Sequence, residues 1–286
     1  MAVVTLLSLL SMLIPPAAFL LSGVPVGLVT LRKGSHHALQ VIGGSLLLMS
    51  LMSLALKLQP VLGLVLLLSV WLPVWLCALT LRYTEKPAFM SLTAATIAAL
   101  FIAFMYARFG DVEAWWRTFL QEMLGAGLSS GTAAHYQQAM EIAPPLMNAV
   151  VAASMVVSLT LSVLIARWWQ SRLFNPGGFA TEFQAFCLPR YLVLPTIIGM
   201  TLLFLEEQAF QSPLRDLLVV LVVLYLFQGI AAVHRTVKSR QLSRNWLFGM
   251  YCLLALLPQI MVIFIAWIGM TDSLLMSRRG SGGGEK

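Results

Sequence analysis

Charge is what this chain has least of: only 10% of its 286 residues are Asp, Glu, Lys or Arg, against about 25% in soluble domains. With 59% hydrophobic residues and a mean hydropathy of +0.88, the deficit runs the whole length and excludes a water-soluble globule. Alternating ten-residue segments are missing too, which argues against a transmembrane β-barrel. Cysteine is scarce and odd in number. Cys77, Cys187 and Cys252 stand alone without a CxxC pair, so neither a disulfide framework nor a zinc site is expected. His36, His37, His135 and His234 are scattered to the edges of apolar runs, and metal ligands must converge; no cofactor is expected. GxxxxGKS/T, GxSxG and HExxH motifs are lacking, which excludes ATP hydrolysis by a P-loop and two families of hydrolytic site. No catalytic constellation and no enzyme activity are expected, and an energised function needs a partner.

What is present is apolar length. Runs near 20 residues recur, the span that a bilayer core of about 30 Å requires of a helix. The fold class expected is all-α: a polytopic transmembrane helical bundle of about eight spans. It occupies residues 1–271 as a single domain, with a polar, flexible tail at 272–286. The net charge of +7 does not signal nucleic acid, because the basic residues cluster in short connectors as the positive-inside rule places them. The N-terminus lacks a basic region and a small-residue cleavage site, so it reads as a retained first helix.

The first run, 2–31, is broken at Pro15-Pro16 and loosened by Ser22-Gly23 and Pro25, since proline removes a donor and clashes with the preceding turn. It forms one kinked span or two half-helices, and broken helices at membrane depth require protein or water around them. Runs at about 38–55, 60–81 and 88–107 follow. On the last, Ser91, Ala95, Ala99, Ala103 and Ala107 make a stripe of small residues, the usual means of bringing membrane helices close. Residues 108–143 form a polar stretch in which Trp115-Trp116 and Phe119-Leu120 suggest an amphipathic helix in the interface; 125–131 reads as a flexible turn. The fifth run, 145–166, opens near Asn148 and carries a second stripe, Ser154, Ser158, Ser162 and Ala166. Runs at 191–205, 216–233 and 246–270 complete the set. Connectors after runs one, three, five and seven hold most of the Lys and Arg and are expected on the cytoplasmic side. That arrangement puts the tail outside despite Arg278-Arg279.

No Asp, Glu, Lys or Arg is read in the middle third of any span, which disfavours a self-sufficient ion-driven transporter. Pro15, Pro16, Asn148 and Glu206 are the candidate cavity residues. The most polar and aromatic interruption is Ala166–Arg190. Its Asn175, Pro176, Gly177 and Gly178 are turn residues. Trp168, Trp169, Phe179, Phe183 and Phe186 are expected to anchor it in the headgroup layer. Arg167, Arg172 and Arg190 supply positive charge, and Glu182 is expected to pair with Arg172 or Arg190. The loop is a candidate surface for a partner or a lipid headgroup, with the Gly177-Gly178 amides offered to an anion.

ARWWQSRLFNPGGFATEF in this loop resembles the signature of the YybS-like predicted bacterial membrane proteins, a family of unknown function. SGVPVGLVTLRKG at 22–34, Gly229 to His234 with WLFGMYCLLALLPQ at 246–259, and GMTDSLLMSRR at 269–279 are similar to further segments of that family. In the last of these, Gly269, Asp272 and Arg278 or Arg279 stand where the family has a Gly, an Asp and a terminal Arg. The resemblance implies a fold like the substrate-binding components of energy-coupling-factor transporters, which depend on separate ATPase and scaffold subunits. Those components carry an alanine stripe on their first helix, whereas here it is on the fourth run. The expectation is a multi-pass protein of the bacterial inner membrane, a non-enzymatic transporter-type subunit that binds a small or amphipathic solute. Its expected partners are the lipid bilayer and an ATPase module or other membrane proteins, with no nucleic acid. The alternative is an envelope scaffold or assembly protein without a solute.

Overall fold

The computed structural model describes residues 22–55, 57, 64–65, 67–125, 133–205 and 213–281, and all the regular structure among them is helical. Pro15, Pro16 and Glu206, three of the four candidate cavity residues, lie outside the described residues, as does most of the turn at 125–131. The helices, in chain order, are α1 (22–33), α2 (Ser35–Ala55), α3 (Leu67–Thr84, opening with a π-turn at Leu67–Trp71), α4 (Pro87–Phe109), α5 (Val112–Gly125) and α6 (Ala133–Phe174). They continue with α7 (Gly178–Gln184), α8 (Val193–Leu205), α9 (Pro213–Ser239), α10 (Asn245–Leu256) and α11 (Pro258–Ser281). Among the described residues six helices are long and apolar enough to cross a membrane: α2, α3, α4, the Met140–Phe174 part of α6, α9 and the Pro258–Leu275 part of α11. The chain is a multi-pass, all-α membrane protein.

It packs as two units. The first comprises the described part of Met1–Ala94 with Val157–Ala185; the second comprises Ala95–Val156 with Phe186–Lys286, again as described.

In the first unit, α1 runs unbroken from residue 22, so Gly23 does not loosen it. A methyl group at Gly23 would lie 2.8 Å from Val74, and one at Gly27 would lie 3.2 Å from Ala166. These glycines thus admit α3 and α6 to the face of α1, which is how small residues serve membrane helices. The helix stops where expected. Gly34 has φ +94°, and its N–H donates to the Thr30 carbonyl. The Arg82 guanidinium, reaching from α3, donates to the carbonyls of Thr30 and Leu31, each at 2.9 Å. A cation at the negative end of a helix satisfies orphan carbonyls and the dipole together.

The two stripes of small residues do not behave as single faces. Four residues turn an α-helix by about 400°, so each step drifts by about 40°. On α4 the buried positions include Ser91, Ala94, Ala95, Ala98, Ile102 and Met105, while Ala103 and Ala107 wind out to exposure. On α6 the drift has the opposite outcome: Ser154 is exposed, whereas Ser162 and Ala166 are buried.

In the second unit, α5 lays its aromatic side on protein. Trp116 is buried together with Met105 and Val112, and Trp115 packs against that cluster beside Phe109 and Met147. Pro144 removes the N–H that would have bonded the Met140 carbonyl, and the Arg117 guanidinium donates to that carbonyl instead at 3.0 Å.

The segment expected to be one span at 246–270 is two helices. Pro258 ends α10 at Leu257, whose φ of −130° and ψ of 58° are not helical. At 12 residues, α10 is roughly 18 Å long, short of a bilayer core. Next, α11 packs on α9 in a parallel sense. Gly269 lies against Gly229 and the Tyr225 carbonyl, and Gly229 lies against the Ile265 carbonyl, so closely that a Cβ at either would strike backbone. Gly229 and Gly269 therefore face each other, and Asp272, three residues on from Gly269, meets Arg235, six on from Gly229, so the two helices rise together. The correction to topology is direct. Asp272 sits beside Gln228 and Arg235, so the C-terminal part of α11 lies at the basic-connector end and not at the opposite one. Asp272 is also helical, inside a helix that continues to Ser281, rather than the start of a flexible tail.

Candidate functional site

The loop singled out in sequence is an ordered turn in the first unit. The end of α6 is closed by Ser171, whose hydroxyl donates to the Asn175 carbonyl at 2.8 Å and accepts from the Phe179 N–H at 3.2 Å. Gly177 adopts φ +92°, a conformation that costs other L-residues about 1–2 kcal/mol. A Cβ at Gly178 would lie 2.5 Å from the Asn175 side-chain amide, which would have to shift to admit it. The Gly178 N–H donates to the Asn175 carbonyl at 3.1 Å, so that backbone amide is committed within the turn rather than offered to an anion. Pro176 lies between these two residues.

Glu182, on α7, pairs with Arg167, where the sequence reading expects Arg172 or Arg190. The Arg167 Nε donates to it at 2.8 Å, and the second guanidinium nitrogen donates to the other carboxylate oxygen. This bidentate pair borders a cavity of about 300 Å³ with Arg82, Glu85 and Gln170. Trp168, Trp169, Leu173 and Phe174 remain exposed. Arg172 lies over Trp168, and Arg32 lies 4.0 Å from the centre of the Phe174 ring. Phe179 and Phe183 stack on each other. Phe186 is fully buried and so belongs to the core of the second unit rather than to the headgroup layer. Arg190 opens the 3-10 turn Arg190–Leu192 of that unit.

Asn148 has a more demanding environment. It is 2% exposed, and its Nδ2 donates to the Asp216 carboxylate at 2.6 Å. Asp216 is fully buried and is the first residue of the run read as 216–233. The Tyr106 hydroxyl donates to the same oxygen at 3.2 Å, while Arg215 donates to the other through Nε at 3.2 Å and Nη2 at 3.0 Å. Arg215 also donates to the Pro145 carbonyl. The Trp116 indole N–H points at the Asn148 side-chain oxygen over a long 3.5 Å. A buried carboxylate is costly unless it is paired and hydrogen-bonded, and here both oxygens are. Asp216 escapes a reading of the sequence because it lies at a span end beside Arg215; an Arg-Asp pair opening an apolar run is the signal that points to it.

Beside this network lies a cavity of about 190 Å³, lined by Tyr106, Asn148 and Arg215 together with Asp111, Glu113 and Pro145 among others. Asp111 accepts the Ala114 N–H at 2.9 Å as the cap of α5, and Glu113 pairs with Arg117 at 2.7 Å. The three side chains that hold Asp216 thus also face open space.

A second network ties the basic end of the same unit. The Gln228 side-chain oxygen accepts the Leu188 N–H at 2.9 Å, and its amide donates to Asp272 at 3.1 Å. Ser273 donates to the Leu188 carbonyl at 3.0 Å, and Arg235 donates to Asp272. No group of His, Cys, Asp and Glu able to hold a metal occurs among the described residues.

The family model described as predicted membrane protein (DUF2232) matches residues 2–273, and the chain belongs to that family. No curated protein matches, and no solved structure matches.

Proposed function

We propose that this member of the DUF2232 family is a non-enzymatic binding subunit, embedded in the bacterial cytoplasmic membrane, that takes a small polar solute in the Tyr106–Asn148–Arg215 cavity. The observation that carries the reading is Asp216: a carboxylate buried at the end of a membrane helix whose three side-chain partners also line open space. Ionisable groups at membrane depth are costly and mark functional sites, and a buried anchor behind the lining groups holds them in place before a ligand arrives. The volume is below the roughly 300–1,000 Å³ of drug-sized sites, which favours a small ligand. The rim carries Asp111 and Glu113, while the Arg215 charge is taken up by Asp216. A neutral or cationic solute with hydrogen-bonding groups suits this lining better than an anion. The absence of a P-loop from the sequence makes transport dependent on a separate energising partner.

Thermal unfolding of the detergent-purified protein against pools of small polar metabolites tests this, because a ligand that binds only the folded state raises the unfolding temperature. Stabilisation by a neutral or cationic pool is expected; no stabilisation by any pool contradicts it. A scaffold role is favoured by a different feature, the exposed Trp168, Trp169, Leu173 and Phe174 at the end of α6. It predicts a co-purifying membrane protein that is lost on Trp168→Ala with Trp169→Ala.

A further inference from the structure

The geometry points to a second binding site, independent of the solute cavity: a groove between α9, α10 and α11 that holds an anionic phospholipid, one acyl chain in the groove and the phosphate over the basic turn 238–244. The break at Pro258 creates the groove. Because α10 is short and the chain turns back at Pro258 so that α11 runs parallel to α9, the three helices border an open space of about 860 Å³. Its walls include Val233, Gly249, Leu253, Phe264 and Ile268, which suit hydrocarbon.

One end of the groove is polar, lined by Thr236, Ser243 and Asn245. These residues flank the turn between α9 and α10, where Gln241 takes a left-handed φ of +53°. Lys238, Arg240 and Arg244 lie in and beside this turn and are exposed. Residues 217–271 contain no Asp or Glu, and the Arg235 charge is matched by Asp272. Three exposed cations therefore lie in and beside the turn that borders the polar end of the groove, without a matching carboxylate in that segment. Trp246, 66% exposed, sits at the same end, the residue type that settles at the headgroup level. Basic clusters beside membrane helices attract anionic headgroups. The pairing of such a cluster with an apolar groove selects an amphiphile with a negative head, which in a bilayer is an anionic phospholipid.

The test is native mass spectrometry of the full chain in detergent, with phosphatidylglycerol and phosphatidylcholine of identical acyl chains added together. Retention of phosphatidylglycerol over phosphatidylcholine by about tenfold is expected for the wild type. Lys238→Gln, Arg240→Gln and Arg244→Gln combined should bring the ratio to about one, with phosphatidylcholine retention unchanged. Since both lipids are read on one sample, loss of preference is distinguished from unfolding, which would release both. Gly249→Phe fills the groove from a position where an added Cβ meets nothing within 4 Å. It should abolish phosphatidylglycerol retention at an unchanged unfolding temperature. Equal retention of the two lipids by the wild type overturns the proposal. A ratio unmoved by the triple substitution, retention unmoved by Gly249→Phe, or a co-purified protein helix in place of lipid would do the same.

Discussion

The Asp272 carboxylate on α11 accepts from the Arg235 guanidinium on α9, 37 positions earlier in the chain, and this pair, lying beyond the Gly229–Gly269 contact on both helices, shows that the helices run side by side in the same direction. Gln228 donates to the same carboxylate, while Ser273 and Gln228 hold the two sides of the Leu188 peptide. The C-terminal half of α11, the C-terminal half of α9 and the Leu188 segment ahead of α8 are therefore tied at one place.

That tie has a measurable strength. Asp272→Ala should lower stability by about 2–3 kcal/mol, the cost typical of removing hydrogen bonds to a charged group. Arg235→Ala should cost a similar amount. The double variant should cost less than the sum, with a coupling of about 1–3 kcal/mol. Unfolding in detergent followed by circular dichroism measures all three; additive losses would mean that the pair is not coupled.

The close approach of α9 and α11 predicts steep sensitivity at two glycines. Gly229→Ala and Gly269→Ala each force a methyl group against a carbonyl on the neighbouring helix and should each cost about 1–3 kcal/mol, as overpacking does. Gly249→Ala, with open space at its Cβ, should gain about 0.5 kcal/mol from reduced backbone freedom. The same unfolding measurement separates the two classes.

The parallel packing also sets topology. In a background with the native cysteines replaced by serine, Arg240→Cys and Ser281→Cys should react with a membrane-impermeant maleimide in vesicles of the same orientation. Labelling from opposite sides would contradict the parallel arrangement. This placement puts Arg278-Arg279 at the end already occupied by the basic connectors, so they cease to be an exception to the positive-inside rule.

Much of the architecture was legible in the sequence because bilayer crossing is written in long apolar runs: α2, α4 and α9 fall on runs read from composition alone. The small-residue stripes misled because a four-residue repeat is not the helical repeat, so Ala103 and Ala107 leave the face that Ser91 begins. The break at Pro258 was hidden inside continuous hydrophobicity, and the direction in which α11 packs on α9 has no signature in a single sequence. Gly229, Gly269 and Asp272 entered through family resemblance without a physical role, which the helix contact now supplies. Asn148 was read from its residue type, a polar side chain in an apolar run. Asp216 was missed because a carboxylate at a span end reads as a boundary. Burial and hydrogen-bond satisfaction, which only the fold reveals, distinguish it from one.

On the function proposed, the cavity backed by Asp216 binds a small polar solute. Mass spectrometry of small molecules released by denaturing the purified protein tests it most directly, comparing the wild type with Tyr106→Phe, which removes a cavity hydroxyl and keeps the ring. The account predicts a neutral or cationic solute enriched on the wild type and depleted by about tenfold on the variant, the loss expected for one hydrogen bond left unmade. Identical small-molecule profiles from the two proteins would contradict it.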